Sequence, residues 1–169
     1  MGFESFQLEL CGGNGTPQEV DEAIAAMGHV INDDDSAFVS GSNYYLLNDG
    51  QHAIEMELVP EPIRLSCRFT LCHPPSVDAA FLELARRFMQ MFGMQATICG
   101  DVPAEHDHAF SLADFDEFAQ AAVGCIAVRR REWQAAFGNR QLAATTAEVH
   151  EQIILPLCQG QVEKAGYSS

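Results

Sequence analysis

Residues 63–71 read IRLSCRFTL and alternate apolar and polar side chains without a break. Successive side chains of a β-strand point to opposite faces, so the apolar members of this stretch share one face. The opposite face carries Arg64, Ser66, Arg68 and Thr70. One apolar and one polar face indicate an antiparallel sheet that packs against a core on one side and meets water or a partner on the other.

Two stretches before residues 63–71 complete a predicted three-stranded meander. Residues 38–48 are rich in aromatic and aliphatic side chains, and residues 52–58 alternate apolar and polar side chains. Asn48-Asp49-Gly50 predicts a hairpin between them, because Asp-Gly accepts positive φ. The sequence Pro60-Glu61-Pro62 predicts the following turn. Residues 6–10 and 94–99 are predicted as two further strands.

The helix starts are marked by capping boxes, in which a Ser or Thr and an acid three residues later cap each other. Boxes begin at Thr16, Ser111 and Thr145, and another helix is predicted to begin at Ser76. The element order is β-α-β-β-β-α-β-α-α, so we expect an α+β fold with helices packed on one face of an antiparallel sheet. We expect residues 1–160 to form one domain and residues 161–169 to form a polar, frayed tail.

The loop at residues 11–19, CGGNGTPQE, follows a predicted strand and opens a predicted helix, which is the setting of a phosphate-binding loop. Such a site needs free donors at the helix N-terminus and usually a lysine. Here Thr16 and Glu19 occupy those donors, and Asp21 and Glu22 add negative charge to the same turn. We therefore interpret the glycines as turn residues.

The charge is strongly one-sided, with 24 acids against nine bases and a net charge of −15. Residues 1–63 hold twelve acids and neither lysine nor arginine, and residues 88–128 also lack both bases. A field of this sign repels nucleic-acid phosphates and anionic lipid and attracts cationic partners. We expect no nucleic-acid and no membrane partner. Acidity also serves solubility alone, which leaves a partner-free alternative open. The basic run Arg129-Arg130-Arg131 is expected to pair with acids across helices.

The cysteines and the N-terminal residues favour a cytoplasmic location. Six cysteines are spread along the chain with no CxxC pair, and the first residues lack the basic and apolar parts of a signal peptide. No apolar run approaches the length that spans a membrane. A reducing compartment with free thiols is the simplest interpretation.

The best candidates for metal binding or acid–base chemistry are His106 and His108, in the loop at residues 101–108. A zinc or iron site needs further ligands, which only the tertiary fold could bring to these histidines. The competing interpretation is an exposed polar loop. Glu55 and Glu57 share one strand face, and we expect both to be solvated, which argues against acid–base work by either. We assign no catalytic residue, no metal and no cofactor.

These features favour a non-catalytic acidic binding protein that engages a basic protein partner. By analogy in charge, size and element order alone, it resembles the general profile of small acidic α+β proteins of the immunity or secretion-chaperone kind. The alternative is a small metal- or acid–base-dependent enzyme that uses His106 and His108. A homodimer through the meander edge or the helix at residues 77–91 is also open. The predicted partner-binding residues are the acids Asp33, Asp34, Asp35, Glu55, Glu57, Asp101, Glu105 and Asp107.

Overall fold

The computed structural model describes residues 5–32, 37, 39–100, 106 and 108–158. Six strands are present in this part of the chain: β1 (Ser5–Cys11), β2 (Val30–Asn32), β3 (Asn43–Asn48), β4 (Ala53–Val59), β5 (Arg64–Thr70) and β6 (Gln95–Cys99). The helices are α1 (Pro17–Ala25), α2 (Ser76–Phe92), α3 (Phe115–Phe137), α4 (Thr146–Val149) and α5 (Leu155–Cys158). A 3₁₀ turn at Leu112–Asp114 leads into α3, and a π-helical stretch at His150–Ile154 joins α4 to α5.

The strands form one sheet in the order β2-β3-β4-β5-β1-β6, and each neighbouring pair is antiparallel. This confirms the α+β fold and the meander, which is β3-β4-β5. The sheet has one strand more than expected. Strand β2 is only three residues long and pairs with the end of β3. A strand of that length gives too few positions for an alternation to be recognised in the sequence.

The apolar face of the sheet forms the core with α1 and α2. The strand register places Leu8 beside Cys67 and Cys67 beside Met56, so apolar side chains form rows across β1, β5 and β4. From α2, the Phe81 ring lies 5.9 Å from the Phe6 ring and 4.8 Å from the Phe69 ring, measured between centroids. The amphipathic pattern of residues 63–71 is therefore satisfied by helices on one side of the sheet.

The predicted helix ends are confirmed. All three capping boxes are present, at Thr16, Ser111 and Thr145. Helix α2 ends at Gly93, which takes the left-handed conformation with φ of 65°. Helix α3 is followed by Gly138, whose N–H still donates to the Gln134 carbonyl. Each cap satisfies backbone groups that a helix end otherwise leaves without a partner.

The glycine-rich loop after β1 packs against the end of α2. The Asn14 N–H donates to the Phe92 carbonyl at 2.8 Å. A Cβ on Gly13 would lie 2.2 Å from that carbonyl oxygen, and one on Gly15 would lie 2.6 Å from the Phe92 ring. Because Gly13 also has a φ of +88°, glycine is required there for both conformation and space. Packing against Phe92 thus explains the glycines at positions 13 and 15, which supports their interpretation as turn residues.

After α3 the chain crosses to the other face of the sheet. The Leu142 N–H donates to the Cys72 carbonyl at 2.8 Å, and the Thr70 hydroxyl donates to the Ala144 carbonyl at 3.0 Å. Helix α4 then begins beside β4, where the Thr146 N–H donates to Glu55 at 3.0 Å. One end of the polar face is thus covered by residues distant in the sequence. Within the described residues, no helix is both long and apolar enough to span a bilayer.

Candidate functional site: the polar face and acidic end of the sheet

The polar face of the sheet carries a groove of about 190 Å³ over strands β1, β5 and β4. The antiparallel register sets one row of Gln7, Arg68 and Glu55 and a second row in which Ser66 lies between Glu9 and Glu57. The groove is lined by Gln7, Glu55, Met56, Glu57, Ser66 and Arg68. Charged and polar groups therefore meet here because alternate residues of three adjacent strands point the same way.

Glu55 is buried, which corrects the expectation that it is solvated. Its side chain is 4% exposed and lies under the start of α4. The carboxylate accepts hydrogen bonds from the Tyr44 hydroxyl at 2.7 Å, from Arg68 Nη2 at 2.8 Å, and from both the N–H and the hydroxyl of Thr146. A buried carboxylate is tolerated when it is paired and hydrogen-bonded in this way. Glu55 is thus a structural anchor for α4 and is not available to a partner.

The pKa values of this cluster follow from its packing. Burial acts to raise the pKa of Glu55, but the Arg68 charge and the donated hydrogen bonds outweigh it and hold the pKa below its usual value. Burial first, and then the adjacent Glu55 charge, raise the pKa of Tyr44 far above that of free tyrosine. Glu55 is therefore ionised and Tyr44 is protonated at neutral pH, which is the arrangement that the hydrogen bond between them requires.

Glu57 lies two residues further along β4 and remains half-buried at the wall of the groove. Its Oε1 accepts hydrogen bonds from the Val39 N–H at 2.7 Å and from the Ser42 hydroxyl at 2.6 Å. These bonds fix the carboxylate in place while leaving the residue in contact with solvent. Of the two strand acids predicted as partner contacts, Glu57 is the accessible one.

Two further acids, Asp21 and Glu61, lie near the same end of the sheet, with Asp21 on the side where α1 packs and Glu57 on the polar face. The first turn of α1 borders the start of β3 and the turn after β4 in a groove of about 170 Å³, lined by Pro17, Gln18, Asp21, Asn43, Leu58 and Pro60. Asp21 accepts a hydrogen bond from the Tyr45 hydroxyl, and Glu61 is exposed in the neighbouring turn. We call Asp21, Glu57 and Glu61 the acidic end of the sheet.

Several arginines are used within the fold. Arg68 pairs with Glu55 at 2.8 Å, and Arg64 lies 3.7 Å from Glu9 in a looser, more exposed pair. Two hydrogen bonds of 2.6 and 3.0 Å join Arg130 of α3 to Asp78 of α2, which confirms the expected pairing across helices for this member of the arginine run. These pairs neutralise acids on the strands and on α2, and Arg68 also lines the groove that Glu57 borders.

The remaining predicted contact residues are Asp33, Asp34, Asp35, Asp101, Glu105 and Asp107, and all six lie outside the described residues. Of the two candidate histidines, His108 is exposed and its ring lies 4.1 Å from the Phe110 ring, between centroids. Among the residues that the structure describes, the buried Nδ1 of His106 has no hydrogen-bond partner. No group of three or more His, Cys, Asp or Glu suited to a metal ion occurs in the part of the chain that the structure describes.

Reasoning from the sequence missed the polar partners of the two acids. Gln7, Ser66 and Arg68 lie on correctly predicted strands, and alternation assigns them to the polar face. Which residues lie beside them on adjacent strands depends on the strand order, which alternation does not give. Thr146 lies 91 positions from Glu55 in the sequence and no local signal connects them. Within the alternating residues 63–71, Arg64 and Arg68 lie on the same strand face on either side of Ser66. This pattern is the sequence signal that points to the polar face.

Comparisons of this chain with protein-family models, with curated proteins and with solved structures find no match to it.

Proposed function

We propose that this chain is a non-catalytic acidic binding protein that engages a basic protein partner, in the manner of an immunity protein or a secretion chaperone. The observation that carries the proposal is the acidic end of the sheet. Its acids come from three different elements, Asp21 from α1, Glu57 from β4 and Glu61 from the turn after β4, in a part of the chain that holds neither lysine nor arginine before Arg64.

The charge distribution supports a partner that brings cations. The first arginine of the chain is Arg64, and it lies beside Glu9. The residues before Arg64 include twelve acids and neither lysine nor arginine. Glu19 and Glu22 of α1 are exposed and add negative charge near the acidic end. Salt screens charges over a Debye length of about 8 Å at physiological ionic strength, and the excess of carboxylates in residues 1–63 gives this part of the chain a negative field. Such a field speeds association with a positively charged surface and makes it sensitive to salt.

The fixed geometry of the acids suits binding. Val39 and Ser42 hold Glu57, and Tyr45 donates to Asp21, so both carboxylates are oriented before a partner arrives. Ordering two free side chains on binding costs about 0.5–1.5 kcal/mol each, and preorganisation reduces that cost. The acidic end therefore has both the charge and the rigidity of a docking surface.

Capture experiments with charge-matched variants test the proposal. In one variant Asp21→Asn, Glu57→Gln and Glu61→Gln neutralise the acidic end. In the control, Glu83, Glu117 and Glu132 on α2 and α3 are each replaced by glutamine. Both variants change the net charge from −15 to −12 and keep hydrogen-bonding side chains at every altered position.

The wild-type chain and the control are expected to capture the same basic proteins from lysate of the source cells, and to lose them at high salt. The acidic-end variant is expected to capture at least tenfold less. Equal losses in both variants would show that only overall charge matters. A captured set without basic members, or one indifferent to salt, would remove the proposal.

The competing proposal is a small enzyme that uses His106 and His108. The observation in its favour is the buried Nδ1 of His106, which meets no hydrogen-bond partner within the described part of the chain. Metal analysis of the untagged protein, compared with the His106→Ala variant, tests it. A stoichiometric metal that disappears in the variant would favour the enzyme, and a substoichiometric metal unchanged by the substitution would exclude this metal site.

A further inference from the structure

The outer surface of α3 carries apolar side chains that no described residue covers. Val123 and Val128 are 44% and 46% exposed, and Gly124 and Ala127 between them are exposed as well. A Cβ added at Gly124 would meet no atom within 4 Å, so packing within the described part of the chain does not require glycine there. Glycine is among the poorest helix formers, yet it allows another backbone to approach closely. This point of α3 therefore suits contact with a second helix.

Two charged side chains lie on the same side of α3 as Gly124, one toward each end of the helix. Glu117 and Arg131 are both exposed, and each lies seven positions from Gly124. Seven residues make about two helical turns, so the three residues fall on one line along the helix. Among the described residues, neither charged side chain forms a hydrogen bond or an ion pair, and neither has an opposite charge three or four positions away. Both charges are thus available to a neighbour that packs on this line.

The line of these three residues is complementary to itself when a second copy runs antiparallel to it. With Gly124 at the crossing point, each charge lies about 10.5 Å along the helix from the crossing. A two-fold axis there places Glu117 of one copy opposite Arg131 of the other, and the pair occurs twice because the same surface is used by both copies. A parallel copy would instead set like charges against each other. The charge pattern therefore favours the antiparallel direction.

We propose that α3 is a homodimerisation surface, on which a second copy of this chain packs antiparallel with Gly124 at the crossing. Val123 and Val128 lose contact with water in this arrangement, and the two charged pairs close its ends. A uniformly basic partner would repel Arg131, and a uniformly acidic one would repel Glu117. A second copy satisfies both charges, which is why it is the occupant that this face fits.

Sedimentation velocity of the full chain, measured over a range of protein concentrations, tests whether the dimer forms. A contact confined to one helix face is small for a protein interface, so we expect a Kd of about 10–500 µM at physiological salt. A chain that remains monomeric up to about 1 mM would overturn the proposal.

Exchange of the two charges distinguishes this face from any other dimer surface. Glu117→Arg and Arg131→Glu each create like charges at both ends of the antiparallel pair, and each alone is expected to weaken dimerisation at least tenfold. An equimolar mixture of the two variants is expected to recover a dimer, because one copy then carries two bases and the other two acids on the line. Recovery in the mixture also shows that both variants are folded.

Matched controls separate this pairing from the effect of net charge. Glu83→Arg on α2 and Arg140→Glu after α3 make the same two changes of net charge at exposed positions. Each control is expected to keep the Kd of dimerisation within threefold of the wild type, and a mixture of the two controls is expected to bind no more tightly than the wild type. Controls that match the α3 variants in all three samples would overturn the proposal.

Gly124→Gln tests the crossing point. The added side chain meets open space in a single chain, so the variant is expected to unfold at a Tm no lower than that of the wild type. The same side chain would hold two backbones apart and is expected to weaken dimerisation at least fivefold. An unchanged Kd in Gly124→Gln, or a mixture of Glu117→Arg and Arg131→Glu that stays monomeric, would overturn the proposal and direct attention to another surface, such as the meander edge.

Dimerisation and capture of a basic partner are separate measurements. The acidic end belongs to α1, β4 and the turn after β4, whereas the capture control includes Glu117→Gln on α3. That control is therefore expected to dimerise more weakly than the wild type and still to capture basic proteins. A dimer with this charge pattern in a chain that captures no basic protein would support the α3 surface and remove the proposed function alone.

Discussion

Replacement of Glu55 by alanine is expected to reduce the free energy of unfolding by about 3–5 kcal/mol, the cost of removing one partner of a buried ion pair. Three residues donate to the Glu55 carboxylate: Tyr44, Arg68 and Thr146. Truncation leaves the Arg68 guanidinium, 19% exposed, without its counter-charge, and the Tyr44 hydroxyl without this acceptor. It also removes the acceptor for the first N–H of α4.

The magnitude can be compared with that of the neighbouring acid. Glu57 is half-buried and accepts two hydrogen bonds from Val39 and Ser42, so Glu57→Ala is expected to cost about 1–2 kcal/mol. Glu55→Gln keeps the shape and one acceptor oxygen but loses the charge, and should lie between the two alanine variants. For a chain of 169 residues, a loss of 4 kcal/mol corresponds to a fall in Tm of about 8–16 °C.

Urea unfolding followed by circular dichroism measures these losses, and hydrogen exchange locates them. The amide of Thr146 and its neighbours in α4 should exchange faster in Glu55→Ala, while β1 changes only with global stability. A cost below about 1 kcal/mol, or unchanged protection of α4, would refute the view that Glu55 anchors this segment to the sheet.

The pH dependence gives a second check on Glu55. Its pKa in the folded protein lies below the value of 4.5 for an unperturbed glutamate. A carboxylate of this kind contributes its stabilisation above pH 4.5 and loses it as the pH falls through the folded pKa. The difference in stability between the wild type and Glu55→Gln should therefore shrink progressively below about pH 4.5. A difference that stays constant to pH 2 would contradict the assignment of charge.

Two further predictions concern other parts of the fold. Gly15→Ala places a Cβ 2.6 Å from the Phe92 ring and is expected to lower the free energy of unfolding in urea by about 1–3 kcal/mol. Gly12 lies in open space with φ of +71°, so Gly12→Ala should cost about 1 kcal/mol through backbone conformation alone. Equal costs would contradict the close packing of Gly15. Burial lowers the pKa of His73 from 6.5 to about 4, and the neutral ring accepts a hydrogen bond at Nε2 from the Ala53 N–H. The stability of the wild type should therefore fall as the pH drops from 6.5 to 4, by at most about 1.4 kcal/mol per pH unit. His73→Gln should flatten that slope, and an unchanged slope would assign it to another group.

Local patterns account for the part of the fold that could be predicted from the sequence. The alternation in residues 63–71 has a period of two, which only a strand satisfies, and it correctly assigns Cys67 to the core face. Capping boxes act within four residues, so Thr16 and Thr145 mark helix starts wherever those helices pack. These patterns involve residues close together in the chain, so the strand face and the helix starts can be predicted from them without knowledge of the tertiary structure.

The candidate site could be predicted only in part because its parts meet through strand order. The polar face of β4 was correctly assigned to both Glu55 and Glu57, but the sequence does not show that the chain after α3 returns across one end of that face. Coverage by Thr146 converts Glu55 from a surface acid into a buried anchor. Alternation identifies the face of a strand, whereas burial of that face depends on segments far away in the sequence.

The different fates of Glu55 and Glu57 also restrict where a partner can dock. Two residues along one strand separate a carboxylate enclosed by Tyr44, Arg68 and Thr146 from one that still meets solvent. A basic surface that approaches the polar face near Glu55 would have to displace α4 and leave Arg68 without its acid, which costs several kcal/mol. An approach beside Glu57 leaves α4 in place and meets a half-buried carboxylate that Val39 and Ser42 hold in position. The burial of Glu55 therefore leaves Glu57 as the more accessible of the two acids for the proposed partner.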